Sequence, residues 1–483
     1  MLRAPFFPMA RRAPAPFLFA VVVVLSAGCT KSRTYTDTGG DQLEPPSPSG
    51  RAPDAAAADV AVPQPSGCVD TTSFLAGFAP TRVLYVDPRG SDTADGHSPA
   101  TAWRSLANAS RLQPGDRVDI AAGNYPCSVT LTVQGSAAYP VWIRSSSGPL
   151  QAHFDCSGTD GFQLTGARYV ALDGLDLFGS PRELVSIGSA LASLGGAASD
   201  HILIVGCRLG QSGSSCLRIA GASNVEVYGS EFSSPQTYGI QFEGDGIDAI
   251  GASNARIVGN YVHDVPTQAG IQVRGGSTGA LVAANVIANA AVAVHLGGTT
   301  DRQAFVPLDA LSEAAGLLVH SNSVLGTIGT PFGVDGCDGC VIANNTVAVT
   351  FAERLLRSGL GNAGAQSSGV TSRSRALRFV NNVVSFGRAP TAVLALLDSD
   401  RADFSQSNNL YFATATSIGN VPSNPALAGT ALLLDVDPLF VDAPHSDVHL
   451  SSASRALDAA LPLAGVSFDG SLQCRSRWNL GAF

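Results

Sequence analysis

Val341-Ile342-Ala343-Asn344-Asn345-Thr346-Val347 sets an asparagine between two apolar residues five positions apart, Ile342 and Val347. Outward from this stretch the same arrangement returns at irregular intervals of 23 to 37 residues. Aligned on it, one column reads Leu172, Ile204, Val227, Ile257, Val282, Val319, Ile342, Phe379 and Gln406. A second reads Leu177, Leu209, Phe232, Val262, Ile287, Val324, Val347, Val384 and Tyr411. All of these but Gln406 are apolar or aromatic, so both columns are expected to face inward. Between them runs a third, Leu175, Cys207 and Ser230, followed by Asn260, Asn285, Asn322, Asn345, Asn382 and Asn409.

A repeat that varies in length while its apolar columns hold describes a parallel coil. Each strand pairs with its equivalent one turn later, ~4.8 Å along the axis, so like residues stack on like. Six successive asparagines then form a ladder. Asparagine tolerates the left-handed backbone of a tight bend, and stacked amides can hydrogen-bond from coil to coil. A leucine-rich repeat would have a tighter period and a leucine consensus, which is absent. With 45% hydrophobic residues, 52 glycines and 7% aromatics, the composition fits many short strands cut by turns, and helix is the minor element.

Arg3, Arg11 and Arg12 precede an apolar run from Phe17 to Leu25 that is too short to span a bilayer. Residues 1–28 therefore read as a signal peptide. Leu25-Ser26-Ala27-Gly28-Cys29 resembles a bacterial lipobox, which makes Cys29 the lipidated first residue of an exported chain held at the outer membrane or cell surface; ordinary signal cleavage is the alternative. Residues 29–73 are rich in Pro, Ala, Ser and Gly, hold Lys31, the only lysine, and read as a flexible tether. Residues 74–483 carry the folded domain. Loss of the leader's three arginines takes the net charge from −9 to −12 (26 basic against 38 acidic), which excludes nucleic acid as a partner.

Beyond Cys29, eight cysteines in an exported chain predict disulfides rather than metal ligands. Proximity favours Cys337 with Cys340, Cys207 with Cys216, and Cys127 with Cys156. A redox role for Cys337-Asp338-Gly339-Cys340 lacks the βαβ context that such motifs need. Trp103, Leu106, Ala107 and Ser110 fall on helical spacing between Ala102 and Leu112 and predict a short helix lying as a lid over the core. Asp87, Asp92 and Asp95 are the candidate Ca²⁺ ligands, though not at EF-hand spacing; no other cofactor or metal is expected.

These residues resemble the right-handed parallel β-helix superfamily that contains pectate lyases, polygalacturonases and alginate lyases. Asn344-Asn345-Thr346-Val347 matches its repeat, and Tyr85-Val86-Asp87-Pro88-Arg89-Gly90-Ser91-Asp92 its opening segment. Asp437-Pro438-Leu439-Phe440-Val441-Asp442 and Leu480-Gly481-Ala482-Phe483 resemble the closing segment of bacterial surface proteins of this kind. The resemblance covers about residues 83 to 483. It implies an all-β, right-handed parallel β-helix with a short N-terminal capping helix, expected to be a monomer. It also implies a ligand face on the strand after the one that follows the asparagine turn.

That strand is expected to recur as Gly161-Phe162-Gln163-Leu164, Cys216-Leu217-Arg218-Ile219, Gly239-Ile240-Gln241-Phe242, Gly270-Ile271-Gln272-Val273 and Ala293-Val294-His295-Leu296. Alternation exposes Gln163, Ser186, Arg218, Gln241, Gln272 and His295 in one column. Glu243, Arg274, Gly297 and Asp335 fall in the next. Arg218, Gln241 and Gln272 suit sugar hydroxyls and carboxylates as binding residues, and His295, Arg274 and Glu243 are the candidate catalytic groups. The competing reading is a solvated face on which Glu243 and Arg274 simply pair.

With no lysine after Lys31, β-elimination would need Arg218, Arg274 or His295 as base. Hydrolysis needs two carboxyl groups about 5 to 9.5 Å apart. Glu243 and Asp335, three coils apart at about 14 Å, are too distant, whereas Glu243 with Asp245 or Asp248 would fit if their side chains converge. The Asn-Thr-Asp, paired-aspartate and Gly-His-Gly motifs of polygalacturonases are missing. His263-Asp264 reads as ordinary turn chemistry. The function expected is a surface protein that binds polysaccharide, an acidic glycan above all, with a polysaccharide lyase-like enzyme as the alternative.

Overall fold

The computed structural model describes residues 68, 74–189, 198–233, 244–360 and 373–483. The leader 1–28, and the tether 29–73 apart from Cys68, lie outside the described residues, Cys29 with them.

A coil has three strand positions, of which the second and third run together in Tyr261–Arg274 and Val286–Gly297. In the coil that begins with a first strand at Arg168–Asp173, the second is Leu175–Phe178 and the third Val185–Gly188. First strands from Arg82–Val86 to Phe404–Ser407 form one twelve-stranded parallel sheet, and second and third strands make up a twenty-stranded one. The register matches both apolar columns along their length. Leu172 pairs with Ile204, Ile204 with Val227, and so on to Phe379 with Gln406; Leu177 pairs with Leu209 and the series ends at Val384 with Tyr411. Their side chains fill one continuous core from Leu84 to Val421. Gln406, the exception in the first column, is also buried. Its Oε1 accepts the hydroxyl of buried Tyr411 at 2.6 Å and its Nε2 donates to the Ala428 carbonyl, so each satisfies the other's polar end.

The ladder is continuous. The amide N–H of Asn260 donates to Oδ1 of Asn285 at 2.9 Å, that of Asn285 to Asn322, and the chain of bonds continues through Asn345 and Asn382 to Asn409. Each Nδ2 also donates to a first-strand carbonyl, as Asn322 does to Val282 and Asn345 to Val319. The reason for asparagine differs from the one expected, because none of the six has a positive φ. The left-handed residue is the one before: Gly259, Ala284, Ser321, Asn344, Asn381 and Asn408. Asparagine stands in the ladder because its amide caps a buried backbone N–H that no strand reaches.

Three of the left-handed residues hold the closing segment. Nδ2 of Asn344 donates to the Asn479 carbonyl, that of Asn381 to Leu461 and that of Asn408 to Ala459. At the other end the lid is a 3-10 helix, Leu106–Arg111, not an α-helix. Burial follows a period of three, so Asn108 and Ala109 are buried while Ala107 and Ser110, expected inward, are exposed.

Cys127 and Cys156 form a disulfide, as do Cys337 and Cys340. Cys207 and Cys216 do not. Both are buried free thiols pushed up to about 12 by burial, and Cys207 occupies the ladder's column ahead of Ser230, where it packs as a small apolar residue. The third disulfide, Cys68 to Cys474, was not anticipated and spans 406 positions.

Two outcomes follow. Asn345→Ala strands the buried N–H of Asn322, and at about 1–3 kcal/mol for each buried polar group left unmade it should lower stability by at least ~2 kcal/mol, read as an earlier urea midpoint; an unchanged midpoint contradicts the ladder's role. Cys207 and Cys216 should resist iodoacetamide in the native protein and become alkylated without reductant once unfolded, which peptide mass spectrometry reads directly.

Candidate functional site

A groove of 910 Å³ runs along the outer face of the third strands. Pairing there is Leu217 with Ile247, Ile247 with Ile271, Ile271 with Val294, Val294 with Phe332 and Phe332 with Leu356. Side chains alternate, so the neighbouring outward column reads Arg218, Asp248, Gln272, His295, Gly333 and Arg357, five coil steps or about 24 Å. The walls come from the bends at 266–269 and 289–292, with Ser214, Ser215 and Thr330.

This register corrects the expected one. Gln241 and Glu243 lie outside the described residues, and the strand between Arg218 and Gln272 is Ile247–Ile250, which puts Asp248 in the place assigned to Gln241 and Ile250 in that of Glu243. A signal for Asp248 was present. Nine residues separate Arg218 from Val227 and Asp248 from Ile257, and ten separate Gln272 from Val282, whereas Gln241 would need sixteen. The bend back to the first strand is the constant one in these coils, and the bend before the third strand takes up the extra length.

Arg274 lines the groove paired with Asp248. Its Nε and Nη2 donate to Oδ1 and Oδ2 of Asp248, both at 2.9 Å, and Asp248 is only 4% exposed. Burial disfavours the guanidinium's charge, but Asp248 outweighs it and raises the Arg274 pKa. Asp245 is wedged beside this pair by two glycines. A Cβ on Gly244 would sit 1.6 Å from the Ser214 carbonyl oxygen, and one on Gly246 2.6 Å from that of Gly270. Oδ1 of Asp245 accepts the Ala269 N–H at 2.9 Å. Burial, then the charge of Asp248, pushes its pKa up to about 7, against the pull of Arg274.

His295 is 8% exposed and has both ring nitrogens engaged. Gln272 Nε2 donates to the Gly297 carbonyl, which fixes the amide's orientation, and lies 3.2 Å from Nδ1, which must therefore accept. Nε2–H then donates to Asp335 Oδ2 at 2.9 Å. Asp335 also accepts the N–H groups of Gly359 and Leu360. The imidazole is thus held at both nitrogens in the groove wall.

Arg218 donates from Nη1 to Glu183 at 3.1 Å, while its buried Nε has no partner. Arg357, missed from the sequence, lines the far end of the groove and has neither a hydrogen bond nor an ion pair among the described residues. His263, paired with Asp264 at 2.9 Å and Glu231 at 3.4 Å, lies on the long strand Tyr261–Arg274 and does not line the groove. Of the candidate Ca²⁺ ligands, Asp87 pairs with Arg89, Asp92 accepts Ser105, and Asp95 accepts the His97 N–H. Among the described residues no group of three or more His, Cys, Asp or Glu is placed to hold a metal.

The family model described as right handed beta helix region matches residues 133–305. The crystal structure of pectate lyase Pel9A is similar with a TM-score of 0.57 at 17% identity, over 84% of this chain and 97% of that one. A GH136 lacto-N-biosidase from Eubacterium ramulus aligns with a TM-score of 0.49 at 13% identity, over 73% of this chain and 68% of the other. Alpha-1,3-galactosidase A of Akkermansia muciniphila is 40% identical over 73 residues, which are 14% of this chain and 12% of that protein. The chain thus spans about an eighth of the length of that curated relative. The ladder, the register and the family match over residues 133–305 agree on one fold, a right-handed parallel β-helix.

Proposed function

We propose that the third-strand groove binds a polysaccharide laid along the coil axis, with a preference for an anionic glycan. The observation that carries this reading is Arg357, a guanidinium that lines the groove with no partner among the described residues. An arginine left unpaired in an acidic chain is a donor fork awaiting a carboxylate or sulfate. The groove's length suits several sugar residues of a linear polymer, and Gln268, Gln272, Asn289, Thr267 and Thr330 supply amides and hydroxyls along it. The names pectate lyase and alpha-1,3-galactosidase A, borne by two similar proteins, accord with a glycan ligand.

One observation favours glycan cleavage as a second reading. Asp245, a groove-lining carboxyl pushed up to about 7, retains its proton where a general acid needs it. The bases considered for β-elimination fit less well, since Arg274 is locked to Asp248 and both nitrogens of His295 are engaged. Absorbance from unsaturated ends and new reducing ends, followed with binding, separates the readings.

We also infer export and attachment through a lipid on Cys29. Three disulfides among the described residues support an oxidising compartment.

Arg357→Ala should weaken binding of an anionic glycan about 10- to 150-fold, equivalent to about 1.5–3 kcal/mol for hydrogen bonds to a charged group, with an unchanged melting temperature; equal affinity in the variant argues against this groove. Arg274→Ala, by contrast, would leave Asp248 buried without its cation and should lower stability by about 3–5 kcal/mol. Cys29→Ser should move the protein from the membrane to the soluble fraction, and a parent already soluble refutes the anchor.

A further inference from the structure

We propose that Asp245 is a specificity-determining hydrogen-bond donor of the groove, through which an acidic sugar binds together with a proton. This rests on the glycan-binding reading and goes beyond it in naming the contact and its consequence. Two buried carboxyl groups share one guanidinium. Asp248 takes both the Nε and the Nη2 of Arg274, which leaves Asp245 without a cation of its own. Asp245 is only 6% exposed and lines the groove; Oδ1 is held by the Ala269 N–H, while Oδ2 has no partner among the described residues.

Ionised, Oδ2 would be an anion with a like charge beside it and no donor to stabilise it. Protonated, it is a donor that lacks only an acceptor, and the acceptor has to come from the groove. A ligand carboxylate gains most from such an O–H, since hydrogen bonds to an ionised acceptor are the strong ones, and the same carboxylate is repelled once Asp245 ionises. A sugar hydroxyl both donates and accepts, so a neutral glycan tolerates either state. The charge state near 7 follows from the same surroundings, burial first and Asp248 second.

Charged groups facing Asp245 among the described residues are few. Asp248 lies three residues on, in the strand Ile247–Ile250, Arg274 is on the next coil, and Arg218 and the Cys216 thiol are on the previous one, with Glu313 acting on Arg274. His295 lies two coils beyond Asp248, and histidine is the other side-chain type that changes charge near neutral pH.

The test is calorimetric titration of the full chain with oligogalacturonate, alginate oligosaccharides and a neutral cello-oligosaccharide between pH 6 and 8.5, for the parent and for Asp245→Asn. Asparagine keeps the acceptor for Ala269 and the donor for the ligand but cannot titrate. In the parent, affinity for the acidic glycan should fall about tenfold for each pH unit above ~7, with net proton uptake on binding in buffers of different ionisation heat. Affinity of the neutral glycan should stay level, and Asp245→Asn should bind the acidic one with no pH dependence in this range. Acidic-glycan affinity that does not change with pH overturns the inference and leaves the groove intact as a binding site. A parallel fall in Asp245→Asn overturns it in favour of another group, His295 first. No binding of any of the three glycans by the parent at pH 6 overturns the binding reading itself.

Discussion

The bend between the first and second strands draws a peptide N–H inside the coil, where no neighbouring strand can accept it. An orphaned donor there costs about 1–3 kcal/mol, and the cost would recur in every coil. The asparagine ladder removes it, with Oδ1 of each residue taking the N–H of the coil before and Nδ2 donating onward. Because each amide needs the next coil in register, the ladder locks the stacking at that corner. Loops at the other corners are then free to vary in length. The coil from Val282 to Val319 takes 37 residues and the one from Val319 to Ile342 only 23, yet both keep the same pairing. The groove is built from that freedom, since its walls are the bends of unequal length that flank the third strands.

What was legible in the sequence follows the same division. Leu172 to Gln406 and Leu177 to Tyr411 could be aligned because a short constant bend joins the two strands, so identical spacing marks identical position. The third strand is reached through a bend of variable length, and there pattern alone misled: Gly239-Ile240-Gln241-Phe242 and Gly246-Ile247-Asp248-Ala249 both alternate correctly. Only the distance to the following first strand separates them. Cys207 and Cys216 misled for a related reason. They are nine residues apart and in an exported chain, but the coil turns each into the core among apolar neighbours. Proximity along the chain predicted a bond that the geometry of the turn does not make. Arg357 escaped notice because no member of the asparagine ladder lies in the stretch from Val349 to Leu377 that contains it, and its column is visible only through pairing with Phe332 and Gly333.

Electrostatics reversed one expectation and sharpened another. An exposed Glu243–Arg274 pair would have contributed little. The observed Asp248–Arg274 pair is buried, bidentate and beside a second carboxyl, so its charges are committed to each other rather than offered to a ligand. Among the described residues, what remains unpaired in the groove is the guanidinium of Arg357 at its far end and one oxygen of Asp245. The proposed glycan contacts therefore fall to the side chains that the protein's own ion pairs leave unused among the described residues.

The opposite choice has been made on the face of the first-strand sheet. There the closing segment lies across the left-handed corner, held by Asn344, Asn381 and Asn408 and stapled at Cys474 to Cys68. Within that segment Arg475 is half-buried, lowered to about 10 by burial, and donates to Ser321 and to the carbonyls of Phe468, Gly481 and Ala482. His320 packs against Phe468 with its ring tilted by 57° and is held neutral, at about 3, by burial and then by the charges of Arg475 and Arg256. The Arg475 guanidinium is thus taken up by protein oxygens, and the His320 imidazole is kept uncharged. The asparagine corner thus does two things at once. Inward it fixes the register that aligns the groove's column, and outward it holds the closing segment across the first-strand corner.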